Sequence, residues 1–190
     1  MLNRCEWCLK DELYVRYHDE EWGLPVHEEQ KLFEFLILEG AQAGLSWLTI
    51  LRKRAAYREA FDGFDPQIIA GYGPEKLHEL INNKGIIRNK LKIDAVVKNA
   101  RAFLTIQEKL GSFDRYIWDF TDGKTIQNRF ERLKDIPAET EISRIISKDM
   151  KKRGFLFVGP TIIYAHMQAT GMVNDHLIGC YRYQELGGVI

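Results

Sequence analysis

One carboxylate set in an apolar run constrains this chain more than any other feature. Phe33, Phe35, Leu36 and Ile37 lead into Glu39, and Leu48, Ile50 and Leu51 lead away from it. Both flanks have helical spacing. The stretch between them, Glu39-Gly40-Ala41-Gln42-Ala43-Gly44-Leu45-Ser46-Trp47, carries two glycines, so it reads as a turn joining two apolar helices. An ionised carboxylate is costly to bury without a partner. Glu39 is therefore either less buried than its neighbours or a functional group.

Composition widens the frame without changing it. At 190 residues, 45% hydrophobic and 28% charged, the chain suits one globular domain with a substantial core. Lys plus Arg and Asp plus Glu each total 27, a balance that neither demands nor excludes a polyanionic partner, because a local basic face suffices for phosphate. No apolar run approaches the roughly 18 residues that cross a bilayer. Asn3, Arg4 and Glu6 stand where a signal peptide would be apolar. A cytosolic protein without a membrane partner is expected. Three cysteines, an odd number split between the two ends, argue against a disulfide scaffold and for metal binding or plain burial.

Read in order, residues 1–27 are aromatic-rich and weakly periodic, a loop with one short helix. Residues 27–39 are helical and end near Gly40; a second helix covers 45–61, with Arg52, Lys53, Arg54 and Arg58 on its exposed side. Asp65-Pro66 starts a short third helix that Gly71 and Gly73 stop, and Pro74 starts another through Leu77, Leu80 and Ile81. A long amphipathic helix follows over 88–110, then a turn or two over 113–120, a polar loop over 121–138 and a helix over 140–153 closed by Gly154. Gly159-Pro160 opens a mostly apolar and hence central last helix over 161–170. With no strand pair and no internal repeat, the fold class is all-α.

Three features carry chemistry. The first is the helix–turn–helix unit at Leu80-Ile81-Asn82-Asn83-Lys84-Gly85-Ile86-Ile87-Arg88, followed by Lys90 and Lys92. Such a turn aims backbone N–H groups and a helix amino terminus outward and can hold a phosphate without reading a base. An ordinary αα-corner with a solvated basic face explains it equally. Lys151-Lys152-Arg153 either extends that surface or is the cationic last turn of a helix. The second is a set of metal-type ligands at the two ends. His176 and Cys180 would share one face of a helix one turn apart, and Cys5 with His18 would complete a closed tetrahedral Cys₂His₂ zinc site. A lone buried Cys180, a surface His176 or a Cys5/Cys8 pair are the alternatives. His27, His78 and His166 lack such partners. The third is Glu39 with Trp7, Tyr17, Trp22 and Trp47: rings that stack on a flat heterocycle and attract positive charge, with a carboxylate that accepts from its N–H groups. The aromatics could equally be core.

Five blocks in order carry a resemblance: Cys5-Glu6-Trp7; Tyr17-His18-Asp19-Glu20-Glu21-Trp22-Gly23; Leu38 through the Glu39 stretch; Lys152-Arg153-Gly154-Phe155 with Phe157-Val158-Gly159; and Val173-Asn174-Asp175-His176 with Cys180. Together they resemble the 3-methyladenine DNA glycosylase I family, the constitutive bacterial alkyl-base glycosylases of the helix-hairpin-helix superfamily, over almost the full length.

The resemblance implies a helix-hairpin-helix glycosylase domain over 1–190, with 1–27 and 171–190 joined as a zinc-binding module on a helical core of 28–170. It places Cys5, His18, His176 and Cys180 on one structural Zn²⁺, leaving Cys8 outside the set. It places Glu39 on the carboxylate that recognises the methylated base, Tyr17 and Trp47 on the pocket aromatics, and Trp7 and Trp22 on further walls. Leu45 falls on the residue that wedges into the duplex, within the Gln42-to-Leu45 turn that includes Gly44. The hairpin at Lys84, Gly85 and Arg88 falls on the phosphate-facing side. The family lacks its superfamily's usual catalytic aspartate, so Asp175 is not nominated.

The implied activity is base-excision repair: monofunctional hydrolysis of 3-methyladenine from alkylated double-stranded DNA, with the free base as product ligand and the protein a cytoplasmic monomer. Two other classes remain open here. A zinc-stabilised helical DNA-binding module without catalysis would not need Glu39 in an aromatic pocket, and a metallohydrolase would need an open zinc position that four protein ligands deny.

Overall fold

The computed structural model describes residues 2–189; Met1 and Ile190, the ends of the expected domain, lie outside the described residues. It contains α1 (Glu12–Glu20), α2 (Glu29–Gln42), α3 (Trp47–Ala60), α4 (Pro66–Ala70), α5 (Pro74–Asn82), α6 (Lys90–Leu110), α7 (Phe113–Trp118), α8 (Glu141–Lys152), α9 (Pro160–Ala169) and α10 (Tyr181–Glu185). The starts follow from local chemistry. Asp11, Ser46, Asp65, Asn89 and Ser112 each cap the following helix through a side-chain oxygen, and Thr140 with Ser143 forms a capping box on α8.

The centre of the molecule is α2, in which every residue from 32 to 41 is buried. It packs against α3, α6, α7 and α9. The helix runs on to Gln42, two residues past the Gly40 near which the sequence places its end. A Cβ at Gly40 would lie 3.3 Å from Cβ of Phe157, so this glycine admits the 154–159 loop rather than stopping the helix. The turn falls at Gly44, whose φ of +80° is the conformation that glycine adopts without strain.

Three further expectations are corrected. Arg54 is not on the exposed side of α3: it is buried, with Nε 2.6 Å from Oε1 of Glu34 and Nη1 2.7 Å from Oε2 of Glu21. Its partners lie 20 and 33 residues away, so a lone arginine in the sequence read as solvated. The chain is mostly helical but not purely so, because β1 (Ile126–Gln127) pairs in parallel with β2 (Val173–Asn174). Each strand is only two residues long, too short for a period-2 pattern to show in the sequence. Finally, residues 176–180 form a turn rather than a helical face, with Cys180 N–H donating to the Leu177 carbonyl at 2.7 Å and Cys180 preceding α10.

The two ends of the chain meet. Tyr181 N–H donates to the Asn3 carbonyl at 2.9 Å, Gly23 N–H to Gln168 at 3.1 Å and Val26 N–H to Thr170 at 3.0 Å. No helix among the described residues is long and apolar enough to cross a membrane.

Candidate active site and metal-ligand cluster

Where α1, α2 and α3 approach α9, a cavity of about 350 Å³ opens. Trp7, Tyr14, Tyr17, Trp22 and Trp47 wall one side, and Glu39 and Gln42 reach it from the last turns of α2. All five residues expected around a heterocycle are thus at one cavity. Gln42, expected to face the duplex, also lines it. The aromatics brace one another: Tyr17 and Trp47 have ring centroids 5.5 Å apart, Trp7 and Trp22 5.0 Å, and Trp7 and Tyr14 4.8 Å.

Glu39 is 4% exposed, and among the described residues no hydrogen bond reaches its carboxyl. Burial pushes this group up to about 8. Tyr17, buried beside it, is also shifted upward, first by burial and then by the Glu39 charge. Among the described residues the indole Nε1 of Trp47 has no partner either. Buried polar groups are ordinarily satisfied, so an unpaired carboxyl at a cavity wall is set for a ligand.

The far wall escaped the sequence reading. Tyr164 and Gln168 of α9 line it, and both are held from behind by Asp175: Tyr164 Oη donates to Oδ2 at 2.5 Å and Gln168 Nε2 at 2.7 Å. Asn128 Nδ2 donates to the other oxygen at 2.7 Å. Asp175 is thereby spent on scaffolding. Leu133, Ile136, Pro137 and Ala138, from a stretch that read only as a polar loop, also line the cavity. Tyr14 precedes Tyr17 by three residues, a helical spacing and the one signal that could have found it.

Behind Trp22 lies a second cluster. Cys5, His18, His176 and Cys180 are all buried, and one ligand atom from each falls within 4.8 Å of every other. His18 Nδ1 donates to Oδ1 of Asp19 at 2.8 Å, and His176 Nε2 donates to the Trp22 carbonyl at 3.0 Å. With both rings neutral, the remaining nitrogens turn lone pairs toward each other at 3.2 Å, a repulsive contact that a cation between them makes attractive. Cys180 Sγ stands 3.4 Å and 3.6 Å from those nitrogens, and Cys5 Sγ 3.8 Å from His176 Nδ1. Ligand bonds of about 2.3 Å to sulfur and about 2.0 Å to nitrogen give tetrahedral edges of roughly these lengths. The donor set therefore suits one four-coordinate ion. Cys8 points elsewhere, its Sγ 3.1 Å from the Cys5 carbonyl.

The expected DNA-facing residues occupy two turns. Leu45, 41% exposed, and exposed Gly44 stand at the α2–α3 turn. Lys84 and Arg88 are exposed and Gly85 half-buried in the 83–89 turn between α5 and α6, where Lys84 and Arg88 border an open groove with Lys53. Lys151 and Lys152 are the exposed last turn of α8; Arg153 is paired with Asp149 at 2.6 Å. Of the remaining histidines, His27 pairs with Asp114 at 2.8 Å, His78 bonds Asn82 at 3.2 Å, and His166 is a core residue.

Residues 7–183 match the family model described as methyladenine glycosylase. A DNA-3-methyladenine glycosylase of Haemophilus influenzae is 47% identical over 180 residues, covering 95% of this chain and 97% of that protein. A crystal structure of 3-methyladenine DNA glycosylase I is similar with a TM-score of 0.92 at 48% identity, covering 94% of this chain and 98% of that one. Another, a variant in complex with 3-methyladenine, is similar at 0.91 and 35% identity, covering 95% and 97%. With its buried carboxyl, aromatic cavity and full-length matches, this chain belongs to the methyladenine glycosylase family.

Proposed function

We propose that this protein performs base-excision repair as a monofunctional DNA glycosylase, extruding 3-methyladenine from alkylated duplex DNA and hydrolysing its N-glycosidic bond. The observation that carries the reading is the unpaired, buried carboxyl of Glu39 in an aromatic cavity of a size suited to a small ligand.

Methylation at N3 leaves the base with formal positive charge. The bond from the sugar carbon to the base nitrogen breaks with both electrons going to the base, which departs neutral. The sugar becomes oxocarbenium-like, water adds to its anomeric carbon, and one proton is lost to solvent. Such a leaving group needs no general acid. Glu39 accepts hydrogen bonds from the base and favours its positive charge, while Tyr17 and Trp47 stack on it and Trp7 and Trp22 close the walls. Extrusion costs a few kcal/mol and least for a weakened pair, which adds selectivity.

Leu45 wedges into the space that the base leaves, with Gln42 and Gly44 shaping its turn. Lys84, Gly85 and Arg88, in a helix-hairpin-helix arrangement, hold backbone phosphate. Cys5, His18, His176 and Cys180 hold one structural Zn²⁺, which supplies a cross-link between the amino-terminal segment (1–27) and the carboxyl-terminal one (171–190), the two joined as a module on a helical core of 28–170. The protein acts as a cytosolic monomer.

The test is release of 3-methyladenine from methylated DNA by wild type beside Glu39→Gln. Release by wild type and its loss in the variant support the reading; equal release removes Glu39 from the mechanism, and none from wild type removes the activity.

A further inference from the structure

The two turns assigned above to DNA are fastened to each other by a closed circuit of contacts. Helix α3 begins at the Leu45 turn, and one of its faces, Lys53, Ala56 and Tyr57 at i, i+3 and i+4, grips the 83–89 turn. Lys53 Nζ donates to the Lys84 carbonyl at 3.0 Å and the Gly85 carbonyl at 3.2 Å. A Cβ at Gly85 would lie 2.9 Å from Cβ of Ala56, so the turn sits directly on the helix. Ile87 N–H donates to the Tyr57 hydroxyl at 3.1 Å. The return contact comes from α6, which begins just past that turn: Lys92 Nζ donates to the Ala41 carbonyl at 2.8 Å and the Ala43 carbonyl at 2.7 Å, at the end of α2.

Neither ammonium has a carboxylate within ion-pairing distance among the described residues; each is spent on two backbone carbonyls. For Lys92 those carbonyls include free acceptors of the α2 carboxyl end, where the helix dipole favours a cation. Charge-assisted bonds of this kind are directional and stronger than neutral ones. A lysine serving only as diffuse positive charge would stay solvated and mobile.

We infer that Lys53 and Lys92 are positioning residues that lock the Leu45 turn and the Lys84 turn into one preset DNA-facing unit. The distance between phosphate anchor and wedge is then fixed before the duplex arrives, and the entropy of ordering two separate turns is not spent on binding. This rests on the proposed function for the identity of the partner.

The experiment compares wild type, Lys92→Met, Lys92→Arg, Lys53→Met and the Lys53→Met/Lys92→Met double variant at one salt concentration. Each is titrated with a duplex containing a stable abasic analogue, with the same duplex undamaged, and with free 3-methyladenine. A preset wedge matters only where there is a gap to fill. Lys92→Met is expected to weaken abasic-duplex binding about tenfold beyond its effect on undamaged duplex, with free-base affinity unchanged and partial recovery in Lys92→Arg. The double variant should lose less than the two single losses combined, because either break opens the same circuit. Equal losses on both duplexes would reduce the lysines to simple charge and overturn the inference. So would additive losses, or loss of free-base binding in Lys92→Met. A wild type that binds free base but does not prefer the abasic duplex overturns it as well, while a wild type with neither property overturns the glycosylase reading beneath it.

Discussion

Trp22 and His176 meet edge to face, with ring centroids 4.6 Å apart, and His176 Nε2–H donates to the Trp22 backbone carbonyl at 3.0 Å. Trp22 also lines the cavity that holds Glu39. Trp22 thus lines the candidate pocket and adjoins the candidate metal cluster, and His176 holds its backbone. Loss of the His176 contact should be felt at the cavity wall that Trp22 forms.

Metal content is the first expectation. Elemental analysis of purified protein should find about one zinc per chain. Cys180→Ser should lose it, unfold at lower temperature and bind 3-methyladenine more weakly, because Trp22 is then unbraced. Structural zinc contributes folding free energy directly. Protein without metal and with an unaltered melting curve would show that the four ligands are an ordinary buried cluster.

Glu39→Gln keeps the shape of the side chain and removes its charge. A hydrogen bond to a charged group is worth about 1.5–3 kcal/mol, so excision should fall roughly tenfold to a hundredfold. The fold should be retained, as circular dichroism would verify.

Much of this arrangement was legible in the chain because its causes are local. Asp65 before Pro66, and Thr140 three residues before Ser143, place helix starts by capping alone. The apolar spacing around Glu39 marked its burial, and the ring-rich amino terminus supplied the cavity's first wall. What escaped depends on distant partners. Arg54 read as solvated because Glu34 and Glu21 lie far away in the sequence, and Leu133 to Ala138 read as a polar connection because the cavity that their apolar residues help to line is formed by distant parts of the chain. The His176–Cys180 spacing does bring the two side chains together, through a turn rather than the helical face that it predicts. Asp175 looked idle by motif, and its three hydrogen bonds to Asn128, Tyr164 and Gln168 appear only in three dimensions.

That network gives a stability expectation. Asp175→Ala leaves Tyr164 and Gln168 without their shared acceptor, and a buried donor left unpaired costs about 1–3 kcal/mol. For a chain of this size each kcal/mol moves Tm by about 2–4 °C, so scanning calorimetry should record a drop of several degrees. Free-base affinity should weaken too, since both side chains line the cavity.

The last expectation concerns pH. Burial raises Glu39 from 4.5 to about 8 in the folded protein. Between those values the folded chain holds a proton that the unfolded chain has released, so stability falls as pH rises through that window and the full cost is present above about 8. Glutamine has no charge to bury. Glu39→Gln and wild type should therefore melt at similar temperatures near pH 4, and the variant should gain steadily until it leads by roughly 10–15 °C near pH 8. Saturating 3-methyladenine should narrow that gap, because the ligand supplies the hydrogen bonds that the ionised carboxylate otherwise lacks. A gap that stays constant across the range would mean that Glu39 titrates in the folded protein as it does in the unfolded chain, and that the cavity already stabilises its charge before any base arrives.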